Sequence, residues 1–155
     1  MPDDRLSRVV EMYRRKGIIS DDVDGDLRAT AVDWLAQARD ELDALEPLLG
    51  ASQWRVAYNT AYDIYRHAAE AVVLASGYRV RAAPGAHEAT FAVAHAIIGE
   101  AGEVFSGQTA GTMRTTRNGL EYIDPDRPTE VDEESSRWAA QLAERAVADV
   151  SAFLS

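Results

Sequence analysis

Ala57-Tyr58-Asn59-Thr60-Ala61-Tyr62-Asp63-Ile64-Tyr65-Arg66-His67-Ala68-Ala69-Glu70 is the stretch on which the fold turns. With its flanks it reads as one helix, capped at Ser52, running to Ser76 and stopped by Gly77 in the left-handed conformation. Trp54, Tyr58, Ala61, Tyr65, Ala68 and Val72 fall on one face at helical spacing. The other side is polar: Asn59, Asp63, Arg66 and Glu70 follow at steps of four, three and four, with His67 beside them. Such a stripe is either a solvated face laced by i,i+3 and i,i+4 ion pairs, each contributing a few tenths of a kcal/mol, or one wall of a site. Trp54, Tyr58, Tyr62 and Tyr65 exceed what one helix face buries, which hints at a second surface unless a long-helix core absorbs them.

Helical periods continue on both sides of this segment. Upstream, Leu6, Val9, Val10 and Tyr13 make a short helix that stops at Gly17 after Arg14, Arg15 and Lys16, and an aspartate-rich connector follows. From Leu27, the residues Ala31, Trp34, Leu35, Ala38, Leu42, Leu45 and Leu49 trace one long amphipathic helix ending between Pro47 and Gly50. Downstream of the Ala83-Pro84-Gly85 turn, Phe91, Ala94 and Ile98 pack a helix from His87 to Glu100. A fourth segment spans Glu103 to Tyr122 on Val104, Phe105, Met113, Thr116 and Leu120, weakened by Gly107, Gly111 and Gly119.

Pro125 and Pro128 force the chain out of helix after Ile123. Thr129-Glu130-Val131-Asp132 resembles a capping signal for a last helix, with Glu133 and Glu134 complementing its dipole and Trp138, Leu142, Ala146, Val150 and Phe153 facing inward. No alternating strand, repeat or low-complexity tract is visible. The expectation is an all-α antiparallel bundle of four to five helices, one domain over 1–155, with residues 1–26 as an extra N-terminal helix and connector and 27–155 as the bundle.

Composition narrows the function classes. The 155 residues carry no cysteine, which excludes disulfides, thiolate metal sites and cysteine nucleophiles. A formal charge of −10 argues against coating nucleic acid, and no binding to duplex DNA is expected. Positive patches must be local and made of arginine, since Lys16 is the only lysine among 16 basic residues. No apolar run approaches the roughly 20 residues that span a bilayer, and the charged start is unlike a secretory signal, so a cytoplasmic protein without membrane attachment is expected. His87 and His95, eight residues apart, lie about 12 Å from each other along a helix and cannot share one ion unaided. Neither a metal nor a cofactor is expected.

The densest polar constellation is Met113-Arg114-Thr115-Thr116-Arg117-Asn118-Gly119-Leu120-Glu121-Tyr122. Arg114, Asn118 and Tyr122 stack at i, i+4 and i+8, with Arg117 and Glu121 one position away. Two guanidiniums can hold phosphate oxygens bidentately while an amide and a phenol aim at a reacting oxygen or a base edge.

In order and spacing, the run Ala57 to Glu70, Gly77-Tyr78-Arg79, the turn Pro84-Gly85-Ala86-His87 and above all Arg114 to Tyr122 resemble small stand-alone bacterial members of the HEPN superfamily over nearly the whole chain. The resemblance implies a HEPN-like bundle. It also implies a homodimer in which arginine and histidine of two protomers meet, so that a 2′-hydroxyl attacks the neighbouring phosphate without metal. Many such proteins are endoribonuclease toxins paired with a nucleotidyltransferase, in toxin–antitoxin or defence systems.

This chain departs from the family motif of arginine, polar residue and histidine. Tyr122 stands where the histidine is expected, and no histidine follows His95. Carried onto this sequence, Arg114, Arg117 and Arg66 bind phosphate, Asn118 orients it, and His67 or Tyr122 moves the proton, with Asp63, Glu70 and Glu121 in support. A tyrosine, with a reference pKa near 10, is a poor base at neutral pH but can serve as an acid. Two further readings stand beside an RNA-cleaving or RNA-binding protein. One is a non-catalytic, antitoxin-like partner module binding another protein such as a nucleotidyltransferase; the other is a purely internal ion-pair network joining the second and fourth helices.

Overall fold

A computed structural model describes residues 2–20, 27–99, 103–122, 124–126 and 128–155. In chain order its elements are α1 (Pro2–Arg15), β1 (Ile19–Ser20), α2 (Leu27–Leu42), α3 (Leu45–Gly50), α4 (Trp54–Ala75), β2 (Arg79–Val80), α5 (Ala86–Ile98), α6 (Gly107–Glu121) and α7 (Glu133–Leu154). The fold is all-α, with one two-residue antiparallel pairing of Ile19 with Val80 and Ser20 with Arg79. No strand was expected. Two residues are too short to show an alternating period, and the pairing is set by where α1 and α4 end.

The helix read first from the sequence is the spine. Ala57, Tyr58, Ala61, Tyr62, Ile64, Tyr65, Ala68, Ala69, Ala71, Val72 and Val73 of α4 are all buried, so the apolar arc is much wider than one face. Neighbours explain this: α2, α3, α5, α6 and α7 all pack against α4. Alanines on α4 and Ala139, Ala143 and Ala146 on α7 let the two longest helices lie close together. Trp34 meets Glu70 while Glu41 meets His67, so α2 runs opposite to α4. Arg55 reaches the Leu120 carbonyl and Arg117 covers Tyr62, so α6 also runs opposite. α7 begins at the same end as α4, where the buried Ser136 hydroxyl donates to the Trp54 carbonyl at 2.7 Å.

Tyr58, Tyr62 and Tyr65 are absorbed by this core, so they leave no exposed aromatic face for a second copy. Tyr62, Tyr65, Phe91 and Phe105 form a ring cluster with centroid separations of 5.0 to 6.4 Å, the range in which offset and edge contacts are favourable.

Several boundaries differ from the sequence reading. The long helix from Leu27 breaks at Asp43 and Ala44, because Pro47 has no N–H for the carbonyl one turn back; α3 restarts as a separate turn. Ser52 is not the cap of α4: it sits at φ 58 in the preceding turn, and Gln53 takes the cap position without a side-chain bond. α6 begins at Gly107, where Ser106 accepts from the Thr109 N–H, and Val104 and Phe105 are buried in the turn before it. α7 is capped by Asp132 rather than Thr129, through a reciprocal box with Ser135.

The inner stripe of α7 is also rotated from the expected one. Leu142, Ala146 and Val150 are buried as expected, but Trp138 and Phe153 are exposed and Ala139, Ala143 and Val147 face in, since alanines matching those of α4 are what fits there. Gly17 and Gly77 do hold the left-handed stops, at φ 74 and 94. The aspartate-rich connector, Glu100, Ile123 and Arg127 lie outside the described residues. Among the described residues no helix is long and apolar enough to cross a membrane.

Candidate functional site

Three helices bring charge to one place. On α4, Tyr62, Arg66 and Glu70 recur every four residues and share a stripe. The Pro84-Gly85 turn, with Gly85 at φ 85, starts α5 so that His87 and Glu88 lie in its first turn. α6 crosses α4 in the opposite sense and adds Arg114 and Arg117.

At the centre is a bond between Tyr62 and His87, with the phenol oxygen 3.0 Å from imidazole Nδ1. Tyr62 is only 2% exposed and packs edge-on against Phe91, while His87 sits at the surface. The Arg117 guanidinium lies 5.9 Å from the centre of the Tyr62 ring, a cation–π distance. Burial pushes the Tyr62 hydroxyl above the usual phenol range, opposed by the fields of Arg66, Arg114 and Arg117. His87 shifts downward, first because it is partly desolvated and then through Arg66, Arg114 and Arg117, with Glu70 opposing. The site therefore holds a neutral phenol and a neutral imidazole among three guanidiniums.

Each guanidinium has a carboxylate close by, and none is saturated by it. Arg117 Nη1 is 2.5 Å from Glu121 Oε2 one turn along α6, and its buried Nε has no hydrogen-bond partner among the described residues. Arg66 Nη1 is 2.5 Å from Glu70 Oε1 and its Nη2 is 3.7 Å from Asp63, while its Nε is likewise buried and unpartnered. Arg114 meets the exposed Glu88 only at 3.7 Å. One-turn ion pairs at the surface contribute a few tenths of a kcal/mol, so a phosphodiester, which offers two non-bridging oxygens to a guanidinium fork, can compete with them.

Not every expected site residue joins the cluster. His67 lies five residues beyond Tyr62, about 140° around α4. It faces α2, with Nδ1 3.7 Å from Glu41 and its ring 5.0 Å from Trp34 in an edge contact. Its one link toward the arginines is a 3.5 Å approach of Nε2 to Arg66 Nη2. Asn118 is exposed, and Tyr122 is 71% exposed in extended backbone at the end of α6. Neither side chain has a hydrogen-bond or ion-pair partner among the described residues. Arg66, Arg114, Arg117, Asp63, Glu70 and Glu121 are the expected residues that the fold gathers.

Two residues at the centre lay outside the sequence-based set. In the sequence Tyr62 is one of four aromatics too many for a single helix face, and His87 is one of two histidines too far apart to share an ion. The available signal was the Pro84-Gly85 turn, which starts a helix one residue before His87. A groove of about 430 Å³ opens beside His87 between α2, α4, β2 and α5, lined by Trp34, Arg66, Glu70, Arg79, Arg81 and His87 among others. Among the described residues no group of three histidine or carboxylate side chains has the arrangement of a metal site.

Comparison of the chain with protein-family models, with curated proteins and with solved structures gives no match.

Proposed function

We propose that this protein is a HEPN-like RNA-binding protein that holds a phosphodiester between Arg66, Arg114 and Arg117 and acts on it as a metal-independent endoribonuclease with a variant active site. The observation that carries this reading is the convergence of three arginines from two helices on one Tyr62–His87 pair. In a chain of net charge −10, three guanidiniums around two neutral polar side chains form a local anion site rather than part of a general basic surface. Arginine forks match phosphate oxygens in pairs, and Arg114, which meets the exposed Glu88 only at 3.7 Å, is the least committed of the three. The order of motifs along the sequence supports the same reading.

Cleavage of a mixed RNA pool in EDTA, beside Arg117→Ala prepared identically, tests it. Cleavage by the wild type that disappears in the variant is the expected result. Equal cleavage by both proteins removes Arg117 from the site, and none by either removes the nuclease reading.

One observation favours the second reading, a non-catalytic helical partner module. Arg66 and Arg117 already have carboxylates at 2.5 Å on their own helices, so much of their charge is met without a phosphate ligand. Under that reading the Arg117→Ala protein loses thermal stability and the wild type has no affinity for RNA.

A further inference from the structure

The geometry points to His87 as the group that takes the proton in the reaction, with Tyr62 as the residue that positions it; this rests on the proposed action on RNA. His67 and Tyr122 are the side chains that the sequence offered for this task. His67 is turned toward α2 and engaged by Glu41 and Trp34, and Tyr122 stands in solvent beyond the last turn of α6. His87 instead lies where α4, α5 and α6 meet, on the wall of the groove that Arg66 also lines.

Its two ring nitrogens have different surroundings. Nδ1 is held 3.0 Å from the Tyr62 oxygen, and Nε2 has no partner among the described residues. When Nδ1–H donates to the phenol oxygen, Nε2 carries the lone pair, which is the tautomer a base requires. Tyr62 cannot turn away, because its ring is fixed between Phe91 and the Arg117 guanidinium. The groups facing His87 are Tyr62, Arg66 and Glu70 from α4 and Arg114 and Arg117 from α6, with Arg79 and Arg81 of the β2 segment along the same groove. Partial desolvation first, and then Arg66, Arg114 and Arg117 against Glu70, push the imidazole pKa below its ordinary value.

The step balances without a metal. Nε2 takes the proton of a ribose 2′-hydroxyl, the 2′-oxygen forms a bond to the adjacent phosphorus, and the bond from phosphorus to the 5′-oxygen breaks. The products are a 2′,3′-cyclic phosphate and a 5′-oxygen that takes a proton from water, while the imidazolium returns its proton to solvent. Arg66, on the wall of the same groove, meets the negative charge that grows on the non-bridging oxygens, with the field of Arg114 and Arg117 added to it. The imidazolium formed on the way keeps its Nδ1–H bond to Tyr62, a bond that is stronger once the donor is charged.

Single-turnover cleavage of a fluorescent single-stranded RNA in EDTA, followed from pH 5 to 8 with binding measured separately, tests this on the wild type, His87→Ala and Tyr62→Phe. Expected are a wild-type rate that rises with pH and levels off, and a fall of about a hundredfold in His87→Ala with binding retained. Tyr62→Phe keeps binding, loses about tenfold in rate and moves the acidic limb to lower pH, because the imidazolium has lost its acceptor. If wild type cleaves in an Arg117-dependent way and His87→Ala cleaves within about threefold of it, the assignment of His87 is overturned and the RNA reading stands. If wild type binds RNA and leaves it intact, the assignment falls with the nuclease reading while RNA binding survives. If wild type does not bind, the RNA reading itself has failed.

Discussion

Gly119 on α6 touches Thr129 of the segment leading to α7 so closely that a β-carbon there would lie 1.9 Å from Thr129 Oγ1 and 2.8 Å from its Cβ. The Thr129 Cβ cannot swing away as the tip of a long side chain can. Gly119→Ala therefore destabilises the protein by about 1–3 kcal/mol through overpacking, even though alanine is the better helix former by about 1 kcal/mol. Urea denaturation measures this. Removing the obstruction in Gly119→Ala/Thr129→Gly returns most of the loss, and stability unchanged by Gly119→Ala alone refutes the close contact.

The Tyr65 hydroxyl donates to the Val104 carbonyl at 2.6 Å inside the core. That carbonyl has no other partner among the described residues, and the bond fixes the turn that launches α6. Tyr65→Phe leaves it unsatisfied, at about 1–3 kcal/mol. Chemical denaturation should show the loss, with hydrogen exchange fastest in the first turn of α6. Burial keeps this phenol far above its ordinary pKa, so it stays neutral across the usable pH range.

The cap of α7 makes stability depend on acidity. The Asp132 carboxylate accepts from the Ser135 N–H at 2.8 Å and from its hydroxyl, and these bonds hold its pKa below the ordinary carboxylate value. A lowered folded-state pKa means that the contribution is complete above the unfolded value and lost as pH falls through the folded one. Asp132→Ala should melt a few degrees below the wild type at neutral pH, and the gap should close as the carboxylate range is crossed downward. A gap that widens in acid contradicts the cap.

Salt dependence separates phosphate contacts from structural arginines. If Arg114 neutralises one phosphate of a single strand, Arg114→Ala lowers the slope of log affinity against log salt by about 0.7 while the protein keeps its melting temperature. Fluorescence anisotropy on a labelled oligonucleotide measures the slope. An unchanged slope with a lowered melting temperature assigns Arg114 to a structural pair with Glu88.

The helices were legible wherever a period of three to four residues ran uninterrupted, as along α4, along α2 up to Asp43, and around Arg114 and Arg117 on α6. What the sequence misplaced was settled by contacts distant in the chain. Ser52 reads as a cap because serine suits that role, but its φ of 58 belongs to the turn closing α3. Trp138 and Phe153 read as core because they extend the stripe of Leu142, Ala146 and Val150, but the α4 surface they would meet is lined with alanines and takes alanines in return. His87 acquires meaning only through Tyr62, 25 residues away, and no local pattern encodes that pairing. The arginines were visible because chemistry of one type recurred at one spacing, whereas the pair they surround joins α4 to α5.

Tyr62 belongs to the core by its ring and to the surface cluster by its oxygen. The same few atoms are thus answerable to packing against Phe91 and to the orientation of His87. A drifting sequence could trade Glu121 or Asn118 for other residues at small structural cost, since both are exposed. It could not redesign the middle of the cluster without reshaping the spine on which the other helices rest. Change in this protein is therefore expected to be permissive at the rim and nearly frozen at the hub, with mutational robustness falling steeply over a single turn of helix.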